Sequence, residues 1–213
     1  MSGDPTQSFR DLIRRRLSSE AFDPRRPVGD DQIRALVADA CEAPSSFNIQ
    51  HWRFIAVRDA EARRRLCAAA FDQRQIMDAP VTFIVLGDCE GIDRLPEVMQ
   101  RAVDEAVLPA GKAEAWQRLA KQIYETPQLA RDEALRSASL AAMVMMLSAE
   151  AHGLASGPLI GFDAPRVKSE FHIADRFEPV MLLVVGYPIG GPASRKPRLT
   201  VDEVLVHDDG ADL

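Results

Sequence analysis

The sequence predicts an α/β or α+β domain in which one sheet is covered by helices on both faces. Helical segments outnumber strand-like segments, and helices separate the strands along the chain. Segments 80–86 and 180–185 are mostly apolar, which is typical of strands buried on both faces. The 213 residues are 46% hydrophobic and 27% charged, a composition that is ordinary for globular proteins and excludes disorder and a disulfide scaffold.

Five elements are predicted in the first half of the chain. They are helices over 9–17, 31–40 and 60–70 and strands over 52–57 and 80–86. Apolar residues at positions 9, 12, 13 and 17 have helical spacing. Asp30 or Asp31 is suited to cap the second helix, and Asp59 to cap the third. A polar loop follows Pro44, where the second helix has ended.

The second half is dominated by a long helix that starts at Pro127 and stops at Gly153. Its part over 138–147 is apolar on nearly all sides, which predicts a central helix or one in a subunit interface. The other predicted elements are one or two helices over 94–126 broken near 109–111, a short helix through 171, a strand over 180–185 and a strand over 199–206. The last strand lies in a C-terminal extension, 187–213, which completes its own sheet or crosses to a partner.

Composition and the missing motifs disfavour several function classes. The net charge of −6 opposes binding to nucleic acid and to anionic lipid. The longest apolar run, Leu140–Leu147, is far shorter than the about 20 residues that span a bilayer. The three cysteines form no paired motif and indicate reduced thiols in the cytoplasm. No dinucleotide, Walker, GxSxG or zinc motif is present, and we expect no metal site.

Four stretches carry the functional signal, and they occur in a fixed order. They are RRLSSEAF at 15–22, APSSFNIQHWRF at 43–54, SGPLIGFD at 156–163 with EP at 178–179 and GYP at 186–188, and KPRL at 196–199 with DEV at 202–204. Together they resemble the motifs of the FMN-dependent nitroreductase family. The resemblance implies a single α+β domain over 1–213, a nitroreductase-like three-layer α/β/α sandwich with a central mixed, mostly antiparallel sheet, helices on both faces and a homodimeric assembly.

The resemblance also implies an FMN at each of two sites in the dimer interface. The residues expected at the phosphate are the cations Arg15, Arg16, Lys196 and Arg198. Those expected at the ribityl chain and the flavin carbonyls are Ser18, Pro44, Ser45, Ser46 and Asn48, with part of this loop reaching the partner's flavin. Those expected along the ring are Gln73 at its pyrimidine edge and Pro158, Leu159, Ile160 and Gly161, with a backbone N–H of Ile160 or Gly161 facing N5. Phe47 is expected beside the substrate.

Each of these groups also has an ordinary structural interpretation. The arginines at 14–16 suit a solvated helix face. The serines and the asparagine of 45–48 suit turn chemistry. Phe47 suits core packing, Gln73 a surface loop and Gly161 a turn.

Leu17, Glu20 and His51 depart from the family pattern. In relatives a cation at the position of Glu20 lies near the N1–C2 edge of the flavin. A carboxylate there opposes an anionic reduced flavin unless it turns to solvent or pairs with Arg15 or Arg74.

The implied activity is that of an NAD(P)H-dependent flavin oxidoreductase. NADPH or NADH gives hydride to flavin N5 and leaves, and a nitroaromatic, a quinone or a similar small oxidant takes its place, which is a ping-pong mechanism. No catalytic side chain is named because the flavin supplies the chemistry. Three alternatives stay open: a dimeric flavin-binding or interaction protein without turnover, another flavin enzyme of this fold (flavin fragmentation, dehalogenation or azoline oxidation), and a helical protein without cofactor.

Overall fold

The computed structural model describes residues 5–190 and 194–210. The helices are α1 Pro5–Arg15, α2 Asp30–Ala40, α3 Ala60–Ala69, α4 Gln75–Asp78, α5 Leu95–Asp104, α6 Ala110–Tyr124, α7 Pro127–Ala151 and α8 Ala164–Glu170. The strands are β1 Trp52–Val57, β2 Val81–Asp88, β3 Ala155–Leu159 and β4 Phe177–Gly186. Short 3-10 turns lie at Ser46–Asn48, Gly91–Arg94 and Val201–Glu203.

The four strands form one sheet in the order β1-β2-β4-β3, and each neighbouring pair is antiparallel. A parallel element enters only as an isolated bridge between Ser18 and Ser156 among the described residues. All eight residues of β2 are buried, as the apolar pattern of 80–86 predicts. The sheet is therefore built around the two segments that the sequence marks as buried strands.

Helices cover both faces of the sheet, as predicted. Alternate residues of β2 point to opposite faces. Val81, Phe83 and Val85 join a core with α2 and α7, and Ile84 and Leu86 join a second core with α3, α4 and α8. A third apolar cluster lies outside the sheet, where α5 and α6 pack on the loop before β1.

Helix α7 lies very close to the sheet because small residues meet there. Ala134, Ala138, Ala141 and Ala142 are fully buried. A Cβ built on Gly87 of β2 would lie 2.7 Å from the carbonyl oxygen of Ala134, so no other residue fits without moving the helix.

Helix α7 is central to the fold, which is one of its two predicted positions, but the single chain leaves part of its apolar surface uncovered. Leu140 and Met143 are 43% and 38% exposed on the side away from the sheet. By length and composition α7 also has the properties of a membrane-spanning helix, since an 18-residue window has a mean hydropathy of 1.2. Half of that window is buried within the protein, as in the core helix of a soluble fold.

The tail differs from its prediction. Residues 199–206 form no strand; Thr200 instead begins the 3-10 turn Val201–Glu203, where its N–H and its hydroxyl both donate to the Glu203 carboxylate at 2.7 and 2.8 Å. Such local side-chain bonds compete with strand pairing.

Strand β3 was not predicted from the sequence. It contains Gly157 and Pro158, which are typical of loops. Proline is tolerated there because β3 is an edge strand.

We expect Gly87→Ala to lower the free energy of unfolding by about 1–3 kcal/mol, because the added methyl group overpacks the contact with α7. Urea denaturation measures the change. Gly111→Ala is the control, since nothing lies within 4 Å of a Cβ at that position in α6, and it should raise stability by about 0.4–1 kcal/mol. Equal effects at the two positions would contradict the close-packing interpretation.

Candidate functional site

A cavity of about 460 Å³ lies between the end of α1, strand β3 and the tail. Its lining includes Arg15, Ser18, Glu20, Glu150, Gly190 and Lys196. It thus brings together residues from both ends of the sequence that the first and last motifs contain. Its volume is in the range of about 300–1,000 Å³ that small-molecule sites occupy.

Arg15 and Lys196 line this cavity, and three further cations lie beside it. Arg16 follows the last residue of α1, and its pKa lies below the ordinary value because it is partly buried and faces Arg195 and Arg198. Arg195 donates a 2.8 Å hydrogen bond to the carbonyl oxygen of Arg14, which ties the tail to the end of α1. The predicted cations Arg15, Arg16, Lys196 and Arg198 therefore lie at or beside one cavity. Arg195 joins them and was not predicted, although it is the neighbour of Lys196 in the sequence.

Two carboxylates share the cavity with these cations. Glu150, in the last turn of α7, has its Oε1 3.4 Å from Arg15 Nε. Glu20 is exposed and pairs with neither expected partner, because Arg15 pairs with Glu150 and Arg74 with Asp78 at 3.2 Å. Sequence reasoning missed Glu150, since nothing in the local pattern of α7 distinguishes it.

Strand β3 runs beside the loop that follows α1. Ser19 N–H donates to Ser156 O at 2.9 Å, and a Cβ on Gly157 would lie 2.5 Å from Ser19 O. Glycine is therefore required where the strand and the loop meet. Ser18 and the start of the 158–161 segment are held next to each other by this contact.

The segment after β3 is joined to Gln73, a contact that the sequence did not predict. Gln73 Nε2 donates to Gly161 O at 2.6 Å and to Ala70 O at 3.1 Å. Pro158 and Leu159 belong to β3, whereas Ile160 and Gly161 lie beyond its pairing with β4. Ile160 is 85% exposed. A short backbone segment is thus held open to solvent beside an oriented amide.

The loop 44–50 is strained. Phe47, Asn48 and Gln50 have φ of 51°, 55° and 56°, in the left-handed region that disfavours such residues. The Ser45 hydroxyl oxygen accepts a 2.9 Å hydrogen bond from Gln50 N–H. The Phe47 ring packs edge-on against Trp116 of α6, with centroids 6.1 Å apart.

A buried polar network holds this loop in place. His51 is completely buried; its Nδ1 lies 2.8 Å from the Asp88 carbonyl oxygen and its Nε2 3.0 Å from the Tyr124 hydroxyl. Because a carbonyl only accepts, Nδ1 carries the proton and Nε2 accepts from Tyr124. Arg94 donates to the carbonyls of Ile49 and Gln50 at 3.1 and 2.8 Å.

The sequence did not predict the supporting roles of Tyr124 and Arg94, and it marked His51 only as a departure from the family pattern. Burial lowers the pKa of His51, against the opposite effect of Asp88. Burial raises the pKa of Tyr124, whose phenol also faces the Ser46 hydroxyl. The network therefore favours a neutral histidine that fixes the loop around Ser46.

The loop and the cavity occupy different parts of the chain's surface. None of Pro44, Ser45, Ser46, Phe47 and Asn48 lines the cavity. Their described contacts are with α5, α6 and the turn at Gly91–Arg94. Of the predicted site residues, Arg15, Ser18 and Lys196 line this cavity, whereas the 44–48 loop, Gln73 and the 158–161 segment lie outside its lining.

The model of the nitroreductase family matches residues 13–187. The chain belongs to the nitroreductase family. "Putative NAD(P)H nitroreductase YodC" of Bacillus subtilis is 32% identical over 197 residues, which cover 91% of this chain and 96% of YodC. This confirms the assignment made from the four motifs.

Solved nitroreductase structures have the same fold. A "putative nitroreductase in complex with FMN" from Exiguobacterium sibiricum is 26% identical, with a TM-score of 0.88, and covers 98% of this chain and 99% of that one. A "putative NAD(P)H:FMN oxidoreductase" from Staphylococcus epidermidis is 25% identical, with a TM-score of 0.87 and coverages of 93% and 94%. The predicted α+β sandwich is confirmed.

We expect the stability of this nitroreductase to fall as the pH drops below about 6.5, the ordinary pKa of histidine. His51 takes up a proton in the unfolded chain before it does so in the folded one, because burial lowers its folded-state pKa. Urea denaturation between about pH 8 and about pH 5.5 measures the effect, and His51→Gln should remove this part of the pH dependence.

His152→Gln is the matched control, since His152 is exposed at the end of α7. It should leave the pH dependence as it is in the wild type. A His51→Gln variant with an unchanged pH dependence would show that His51 does not titrate differently in the two states.

Proposed function

We propose that this nitroreductase binds FMN in the cation-lined cavity and uses NADPH or NADH to reduce a small organic oxidant such as a nitroaromatic or a quinone. The observation that carries the proposal is that Arg15 and Lys196 line one cavity at the start of β3, with Arg16, Arg195 and Arg198 clustered beside them. The FMN complex of the Exiguobacterium protein and the names of YodC and the Staphylococcus protein support it.

The residues present fit FMN. Arg15, Arg16, Lys196 and Arg198 supply fixed charges for a phosphate dianion. Ser18 supplies a hydroxyl at the cavity wall. The close contact between Gly157 and Ser19 keeps β3 near the cavity, so the segment 158–161 is available for a flat ring.

A bound FMN would supply the hydride-transfer chemistry between the nicotinamide and the second substrate, so both substrates would use one place in turn. The chain's own contribution is binding and orientation. An exposed backbone N–H of Ile160 or Gly161 is suited to donate where charge develops on the ring. Gln73 fixes this segment by donating to the Gly161 and Ala70 carbonyls, which leaves its amide oxygen as the acceptor for the ring's edge.

The proposal includes a homodimer in which the 44–48 loop completes the partner's site. The loop lies apart from the cavity of its own chain, so its polar groups and Phe47 serve a flavin only across an interface. Leu140 and Met143 on α7 and the exposed tail residues Leu199 and Val201 supply apolar surface for such an interface. The tail 187–213 is the segment proposed to cross to the partner.

A second candidate function is flavin binding without turnover. Glu20 favours it, because this carboxylate lies exposed at the cavity where relatives carry a cation. A negative charge there disfavours an anionic reduced flavin. In either case, the three free thiols fit the reducing cytoplasm proposed for the protein.

The near-ultraviolet and visible absorption spectrum tests the proposal, recorded on protein incubated with FMN, before and after addition of NADPH or NADH under anaerobic conditions. We expect flavin bands that bleach with at least one nucleotide and return when a quinone is added. Bands that persist with both nucleotides would favour the binding protein. The absence of bound flavin would contradict both functions.

We expect sedimentation to give twice the chain mass, and Leu140→Glu to give monomers, because the charge would be buried against apolar surface. In that variant the dissociation constant for FMN should rise about tenfold or more, since the partner's loop is lost. Val107→Glu, at another exposed apolar residue, serves as control. A monomeric wild type, or a monomeric variant with unchanged FMN affinity, would contradict the shared site.

A further inference from the structure

The position of Glu150 is electrostatically unfavourable for a carboxylate. It lies in the last turn of α7, where the helix macrodipole disfavours negative charge. Its side chain is only 22% exposed, whereas that of its partner Arg15 is 63% exposed. An ion pair with so exposed a cation compensates poorly for covering the carboxylate. Glu150 must therefore interact with other charges of the cavity.

Those charges are the cations proposed for the FMN phosphate. Arg16, partly buried, faces Arg195 and Arg198, and these two lower its pKa further. Glu150 acts on Arg16 in the opposite sense and stabilises its charge. Among the residues that line the cavity, the cations Arg15 and Lys196 are matched by the carboxylates Glu20 and Glu150. Within the described part of the chain, the lining therefore carries no excess positive charge.

We propose that Glu150 is an internal counter-ion of the cavity, which neutralises Arg15 and Arg16 in the flavin-free protein and competes with the FMN phosphate for them. The inference rests on the proposed function, since it assigns the phosphate to these arginines. In this role Glu150 is a positioning residue that weakens FMN binding. The sequence analysis expected only cations at the phosphate.

Two consequences follow from electrostatics. A phosphate dianion entering the cavity meets a nearby carboxylate of the same sign, so the affinity for FMN is lower than the cations alone would give. Riboflavin has the same ring and ribityl chain without the phosphate, so its affinity does not depend on Glu150. The protein therefore discriminates less strongly between FMN and riboflavin than its number of cations indicates.

The test compares Glu150→Gln with the wild type by titration with FMN and with riboflavin, followed by the quenching of flavin fluorescence. We expect the dissociation constant for FMN to fall about three- to tenfold, and that for riboflavin to stay within about twofold. Added KCl should weaken FMN binding more steeply in the variant, because its uncompensated cations attract the dianion more strongly.

Glu133→Gln is the matched control. Glu133 lies on the same helix, forms an ion pair with Arg136, and has a side chain that is also 22% exposed. The two substitutions change the net charge equally, but Glu133 is outside the cavity lining. Glu133→Gln should leave both dissociation constants unchanged. Glu150→Asp keeps the charge and should bind FMN within about twofold of the wild type.

The outcomes separate this inference from the function on which it rests. Failure of FMN to bind the wild type would overturn the proposed function. FMN binding that Glu150→Gln leaves unchanged, weakens, or strengthens equally for riboflavin would overturn only the counter-ion role. If Glu150→Gln does not fold, the wild type still decides. A dissociation constant for FMN that rises steeply with KCl, while that for riboflavin does not, would show that the cavity's cations are uncompensated.

Discussion

The contact between α7 and the sheet is the constraint on which the rest of the structure depends. Alanines on one side of the helix and Gly87 on β2 bring the two backbones so close that a methyl group has no room. Helices α1, α2 and α6 then pack on α7, and its last turn delivers Glu150 to the cavity. The chain reverses at Gly153, whose φ of 70° suits glycine, and enters β3 directly. The position of the helix therefore sets the position of both walls of the site.

The second constraint is the polar network under the 44–50 loop. Phe47, Asn48 and Gln50 all have left-handed backbone conformations. Such conformations cost free energy and persist only where surrounding contacts hold them. Arg94 holds the loop by donating to the backbone carbonyls of Ile49 and Gln50. Tyr124 donates to a ring nitrogen of His51, the residue that follows the loop. Both ring nitrogens of His51 are hydrogen-bonded inside the protein, so the protein's own contacts hold the loop in this conformation. Order of this kind lowers the entropic cost of any binding at the loop.

The electrostatics of the cavity connect the fold to its chemistry. A family whose cofactor carries a phosphate needs fixed cations, and the chain gathers them from α1 and from a tail more than 170 residues away in sequence, where Arg195 bonds to Arg14. Burial, and then the nearby Arg195 and Arg198, lower the pKa of Arg16, so its positive charge is disfavoured in this position. Carboxylates in the same cavity relieve this repulsion. The balance between charge needed for the ligand and charge tolerated without it is a property of the folded molecule alone.

The sequence by itself determined the family, through four ordered motifs, and most of the elements. Apolar runs identified β2 and β4, Asp59 marked the start of α3, and Pro127 that of α7, because these signals act within a few neighbouring residues. Only the tertiary structure decided that 155–159 is a strand and 199–206 is not, since edge pairing and a local Thr200–Glu203 turn outweigh propensity. It alone placed Glu150 in the cavity and Arg195 beside Arg16, and separated the 44–48 loop from the cavity. Contacts between charges that are far apart in the sequence produce no local pattern from which they could be predicted. They depend on where the packing of α7 against the sheet brings distant residues together.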